Sequence, residues 1–207
     1  MNSVQSLIYR YIFLYRIVLR LLYRNKQADR FTAIFDFCTL QQFRSIVELC
    51  FADTQVAEWS RKTNREWQGF DISAVAVRRA CKLGYKANVS DVKKLSMLPE
   101  SDASIMIGSL YQFKEDFDQV LDLMLSNSAT AIISEPTTNV ANSNSILNRI
   151  VGLTTRTGYG AENFRFTKQE FETLMQAYSL RRNLELESLF SHSPRDTVYV
   201  ISRNSRL

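Results

Sequence analysis

The sequence predicts an open, doubly wound α/β sheet with an amphipathic helix ahead of it. Three observations carry that prediction. Short apolar runs alternate with helix-like segments over most of the chain, which is the pattern of parallel strands joined by crossover helices. Three successive runs end in a carboxylate, at Glu48, Asp71 and Asp91. Acids at the C-terminal ends of such strands line the crevice in which these sheets hold ligands. Third, the expected glycine-rich turn after the first strand is missing, since all six glycines lie at 69, 84, 108, 152, 158 and 160.

Residues 6–23 (SLIYRYIFLYRIVLRLLY) contain no breaker and read as a helix. At about 100° per residue, Arg10, Arg16, Arg20 and Arg24 share one stripe, and Tyr11, Leu14, Tyr15, Val18, Leu21 and Leu22 cover most of the rest. The arginines interrupt it too often for a bilayer span, which takes about 20 mostly apolar residues. Two readings stay open. The helix lies in a membrane interface with its arginines toward acidic headgroups, or it packs over the domain with snorkelling arginines.

Residues 31–42 read as a short helix. The alternation follows, with strands at 45–50, 67–71, 87–90, 103–107 and 129–134. Helices are expected at 55–63, 73–83, 113–125 and 143–153, with Gly84 as a left-handed cap on the second. Residues 167–177 form a helix capped by Thr167, with Glu170 at the capping-box position. Residues 184–189 and 197–202 close the sheet as an antiparallel pair.

The charge is unevenly placed. Residues 1–30 hold six of the 26 bases and one of the 21 acids, so the remaining 20 bases and 20 acids balance and the net +5 belongs to the N-terminal segment. Residues 31–207, the expected folded domain, therefore lack the basic face of a nucleic-acid binder. Hydrophobic residues at 45% and charged residues at 23% permit a packed core. Cys38, Cys50 and Cys81 are odd in number and lack metal-type spacing, so buried thiols in a reducing compartment are expected. No secretory cleavage pattern follows the start. The expectation is a cytoplasmic protein, peripheral on the inner membrane face if residues 6–24 meet lipid. Walker, HExxH and GxSxG motifs are absent, and Asn88-Val89-Ser90 is read as a chance sequon.

Asp71 follows an apolar strand and precedes Ile72-Ser73. An ionised carboxylate accepts hydrogen bonds only, so it suits both hydroxyls of a ribose, with Ile72 against a base. The competing reading is that Asp71 or Ser73 caps the next helix. Asp91 can accept from an exocyclic adenine amine, or it is a surface turn residue.

These strand ends resemble those of the class I S-adenosylmethionine-dependent methyltransferases, over residues 31–207. The matching segments are Glu48 with Cys50-Phe51-Ala52-Asp53-Thr54, GFDIS at Asp71, VSDV at Asp91, ASIMIGSLYQF and AIISEPTTN. The chain looks particularly like small bacterial members of unassigned substrate. Those carry a SLYQF-type segment (Ser109 to Phe113), an ISEP–N segment (Glu135-Pro136 with Asn139) and a GxG–RF segment (Gly158, Gly160, Arg165-Phe166). The resemblance implies a seven-stranded Rossmann-like sheet with helices on both faces, S-adenosylmethionine as cofactor and no metal. It implies cofactor contacts at Glu48, Cys50, Ala52, Asp53, Asp71, Ile72, Asp91, Val92 and Ser109. Glu48 and Asp53 would face the amino acid tail, Asp71 the ribose and Asp91 the adenine.

The departure is in the loop, where Ala52 and Thr54 stand at positions that the family usually gives to glycine. A dinucleotide needs its pyrophosphate against that backbone, so a dinucleotide enzyme is disfavoured. A methyltransferase loop cups only the amino acid tail, and small side chains are tolerable there. On the acceptor side, Tyr111 and Glu135 are the candidate catalytic residues, with Gln112, Asn139 and Arg165 as substrate contacts. Tyr111 reads equally as an aromatic lid, and Glu135 as a helix cap or ion-pair partner. His192, the only histidine, sits in a polar loop and is read as a surface residue. The Asn/Asp-Pro-Pro-Tyr tetrapeptide of DNA-adenine enzymes is absent, so the expected acceptor is a small molecule, glycan or lipid precursor rather than nucleic acid. The competing function is a non-catalytic methyltransferase-like binding or assembly module.

Overall fold

The computed structural model describes residues 28–137, 164–189 and 196–203. The helices expected at 6–23 and 143–153, together with Asn139, Gly158, Gly160 and His192, lie outside the described residues.

The element order is α1 (Ala28–Leu40), β1 (Ser45–Leu49), α2 (Gln55–Lys62), β2 (Glu66–Asp71), α3 (Ala74–Lys82), β3 (Lys86–Val89), β4 (Ser101–Ile107), α4 (Phe117–Met124), β5 (Ser128–Pro136), α5 (Lys168–Arg182), β6 (Leu184–Leu189) and β7 (Asp196–Arg203). Short 3-10 turns occupy Val92–Lys94 and Leu110–Asp116. The seven strands form one sheet in the order β3-β2-β1-β4-β5-β7-β6. Strands β1 to β5 are parallel, and β7 runs antiparallel between β5 and β6. The order reverses between β1 and β4, the switch point at which such sheets open a crevice.

Side chains alternate across each strand, and the core divides accordingly. One face packs Ile46, Ile105, Ile132 and Val200 beneath α1, α2 and α3. The other packs Val47, Leu49, Met106, Ile133 and Ile201 beneath α4 and α5. Gly69 sits where a Cβ would come within 2.3 Å of the Trp67 ring and 2.7 Å of Phe51. Its missing side chain is what lets the indole fold back along β2.

The helix ends follow local rules. Gly84, at φ +81°, closes α3 in the left-handed region. Thr167 and Glu170 exchange the two bonds of a capping box at the start of α5. Left-handed Asn183 ends that helix. The helix expected at 113–125 begins only at Phe117. Residues Leu110–Asp116 instead form 3-10 turns kinked at Phe113, which drives Leu110, Tyr111 and Phe113 inward together. The cause is long-range. The Leu110 N–H donates to Glu135 Oε1 at 2.6 Å, so the segment is moored to the end of β5 before an α-helix can start.

Arg30, the last base of the N-terminal segment, is anchored on the folded domain. It is 5% exposed and pairs with Asp196 on β7 at 3.3 Å. Among the described residues, no helix is long and apolar enough to cross a membrane.

Candidate functional site

The site is built at the C-terminal ends of β1, β2, β4 and β5. After Leu49 the chain turns back sharply: Cys50 has φ +55° and Ala52 φ +35°, both in the left-handed region, while Thr54 is at −108°. The positions that favour glycine are therefore Cys50 and Ala52, and not Thr54. Each left-handed residue carrying a side chain costs roughly 1–2 kcal/mol, yet the turn persists. Hydrogen bonds to charged groups are worth roughly 1.5–3 kcal/mol each, and they supply the difference here. The Ala52 N–H donates to Asp71 Oδ2 (3.1 Å), and Arg79 Nη2 donates to the Ala52 carbonyl (2.5 Å). The Cys50 N–H bonds the Phe70 carbonyl at 2.7 Å, in line with the parallel ladder.

Asp71 is 7% exposed and also accepts from the Ser73 N–H at 2.7 Å. Burial pushes its carboxyl above the usual range, against the pull of the Ser73 and Ala52 amides and of Arg79. Of the two residues that could cap α3, Ser73 does so, its Oγ accepting from the Ala76 N–H. Ile72, beside it, is 46% exposed. Asp91 caps the 3-10 turn through the Lys93 N–H, with Val92 buried next to it.

The two acids expected at the amino acid tail have other partners. Glu48 pairs in register with Gly69, and its Oε2 accepts from Trp67 Nε1 at 2.9 Å. It is buried, and burial first, then Asp53 and Asp71, push its carboxyl well above the ordinary range. Asp53 accepts from both the backbone N–H and the side-chain amide of Gln55. Phe51 packs edge-on against Trp67, and Thr54 Oγ1 donates to Glu58.

Cys50 lies at the centre of this arrangement. Burial raises its thiol well above the ordinary range, and Asp71, Glu135, Glu48 and Asp91 add to the effect. A thiol in such a field stays protonated and is a poor nucleophile.

Left-handed Gly108 ends β4 and aims the following amides at β5. Glu135, fully buried, takes the Leu110 N–H on Oε1, and Oε2 finds no partner among the described residues. Burial raises its carboxyl from 4.5 to about 7, opposed by the Leu110 and Ser109 amides, Arg165 and Arg30. Ser109 is buried beside it, with Oγ toward the Ile107 carbonyl. Tyr111 is 4% exposed, its hydroxyl accepting from Gln112 Nε2 at 3.3 Å. The Arg165 guanidinium carbon stands 3.6 Å from the centre of the Tyr111 ring. Burial raises the Tyr111 phenol, with Arg165 opposing. The structure thus brings Tyr111, Gln112 and Arg165 together.

Sequence reasoning missed Trp67, Arg79 and Arg30. Only Trp67 left a signal, the glycine two residues on that clears the same face of the strand. No group of three metal-ligating side chains occurs among the described residues. A cavity of about 430 Å³ at the opposite edge, beside Arg61, Arg65, Trp67 and Lys86, lies at the N-terminal ends of the strands, away from the crevice.

The fold has close counterparts among solved structures. The plantazolicin methyltransferase BpumL, in complex with a triazolic desmethylPZN analogue and SAH, aligns with TM-score 0.68 and 17% identity over 95% of this chain and 93% of that one. This is the class I methyltransferase fold. The methyltransferase domain of bacterial CtHen1 shares it at TM-score 0.66 and 16% identity, over 86% of this chain and 100% of the other. The magnesium protoporphyrin IX methyltransferase ChlM from Synechocystis PCC 6803, with bound SAH, aligns at 0.62 and 11% over 92% and 93%. No protein-family model and no curated protein sequence matches the chain.

Proposed function

We propose that this chain transfers a methyl group from S-adenosylmethionine to a small-molecule, glycan or lipid-precursor acceptor. The observation that carries the reading is the loop at 50–53. It keeps the left-handed backbone of a cofactor loop without glycine, folded onto the carboxylate that ends β2. A chain with no ligand to cup gains nothing from two strained residues there.

The residues of the crevice fit the cofactor. Asp71 would hold the ribose on the lone pairs left over from Ala52 and Ser73, since each carboxylate oxygen accepts more than one bond. Exposed Ile72 would lie against the base, Val92 beneath it, and Asp91 would accept from its amine. Cys50, Ala52 and Ser109 would form the wall near the tail. Glu48, whose Oε2 takes the Trp67 donor, and Asp53, whose oxygens take the two Gln55 donors, would stand nearest the tail's ammonium. The cofactor supplies a methyl group on a good leaving group, so alignment and desolvation provide most of the catalysis. Glu135, near 7, is suited to take a proton from a hydroxyl or ammonium acceptor. Tyr111 and Gln112 would shape the acceptor pocket, Asn139 would contact the acceptor, and Arg165 would attract an anionic one.

Calorimetry with S-adenosylhomocysteine tests the reading. Binding is expected in the wild type and none in Asp71→Ala. Absence of binding at millimolar ligand removes the enzyme reading. Unchanged affinity in Asp71→Ala removes the ribose assignment. The second reading, a non-catalytic module, is favoured by the prior engagement of Glu48 and Asp53, and it gains if no binding is seen. Against it, Phe51 and Thr54 are committed to Trp67 and Glu58 rather than to the crevice.

Residues 1–30 are proposed as a basic segment that meets an anionic membrane surface through 6–24. Deleting residues 1–24 should abolish partition onto anionic liposomes, and unchanged partition would remove that idea.

A further inference from the structure

We infer that Arg79 is a positioning residue that replaces glycine in this loop, holding Ala52 in the left-handed conformation that the cofactor wall requires. The cofactor part of this inference rests on the function proposed above. Ala52 carries a Cβ at φ +35°, a conformation that an L-residue leaves when nothing restrains it. Both of its peptide groups are restrained, each by a charged side chain. Asp71 takes its N–H at 3.1 Å, and Arg79 bonds its carbonyl at 2.5 Å.

The two clamps come from one structural unit. Asp71 ends β2 and accepts from the Ser73 N–H. Ser73 caps α3, and Arg79 stands on that helix. The distance between carboxylate and guanidinium is therefore set by a strand end and nearly two turns of helix, and the Ala52 peptides are captured between them. The same arrangement aims Asp71: the oxygen that binds Ala52 fixes the carboxylate plane, and so fixes which lone pairs face the crevice.

Removing the guanidinium frees the Ala52 carbonyl. The residue then relaxes toward negative φ, its N–H swings away from Asp71, and the carboxylate loses its orientation. Glycine at 52 has no Cβ penalty in the left-handed region, so it makes the clamp dispensable. The inference thus makes a rescue prediction that ordinary structural damage does not.

The test uses the full chain in four forms: wild type, Arg79→Met, Ala52→Gly and the double variant. Amide exchange at Ala52, followed without ligand, should quicken about tenfold in Arg79→Met, the equilibrium equivalent of one left-handed residue. It should return to within about twofold of wild type in the double variant. Affinity for S-adenosylhomocysteine should follow the same pattern, weaker by about tenfold and then restored. Unchanged exchange in Arg79→Met overturns the inference. So does an Arg79→Met defect that Ala52→Gly leaves in place, which assigns Arg79 a different role. Exchange is read without cofactor, so a chain that binds no S-adenosylhomocysteine fails the proposed function while the clamp is still judged by exchange alone.

Discussion

Replacing Glu135 with glutamine should make this protein more stable at alkaline pH and leave it unchanged in acid. The carboxyl is fully buried at the end of β5, with only Oε1 engaged by a backbone amide among the described residues. Burial raises it from 4.5 to about 7. Below 4.5 it is protonated whether the chain is folded or not, so Glu and Gln are nearly equivalent. Between 4.5 and about 7 the unfolded chain releases the proton and the folded chain retains it. Folding then takes up a proton, and stability falls as pH rises. Above 7 both states are ionised and the loss is complete. A tenfold change in proton affinity is worth about 1.4 kcal/mol. The interval from 4.5 to about 7 therefore corresponds to about 3 kcal/mol. Glutamine keeps an acceptor for the Leu110 N–H and carries no charge to desolvate. Urea denaturation of both proteins, followed from about pH 4.5 to 8.5, should show stability curves that coincide in acid and diverge by about 3 kcal/mol in alkali. Glu48 and Asp71 are also raised, but they titrate in both proteins and cancel in the difference. Parallel curves across that range would refute the argument, because they would mean that Glu135 ionises in the fold as easily as outside it.

Trp67→Phe keeps an aromatic ring but removes the indole N–H that donates to Glu48 Oε2, together with part of the indole's bulk. Leaving that buried acceptor unmade should cost about 1–3 kcal/mol in chemical denaturation, and a loss below about 0.5 kcal/mol would show the bond to be incidental. Thr167→Ala breaks the capping box of α5 and should cost about 1 kcal/mol, while Glu170→Ala in the same helix should cost less in that background than alone. A cost that is additive in the double variant would deny that the two residues act as one cap.

Much of the fold was legible because its signals are local. Strand period, helix period and caps act over a few residues, and so the seven strands, the Gly84 cap and the Thr167–Glu170 box were all readable. The displaced start of α4 was not. Its cause is a bond from Leu110 to a carboxylate 25 residues later, which no helical pattern at 113–125 contains. The same division runs through the candidate site. Asp71, Asp91 and Glu135 stand out in sequence because they end apolar runs. What each holds depends on which strands are neighbours.

The sequence by itself determined the elements, the acidic strand ends and the lack of glycine in the first loop. Tertiary structure alone decided that Cys50 and Ala52 would turn left-handed in spite of their side chains. It also decided that Arg79 would clamp Ala52, that Glu48 would meet Trp67, and that Glu135 would hold its proton near neutrality. The physical reason is the same in each case. These effects come from burial and from charged partners 19 to 27 residues away in sequence, or further. Only the sheet order, with β1 set between β2 and β4, brings such groups within hydrogen-bonding distance.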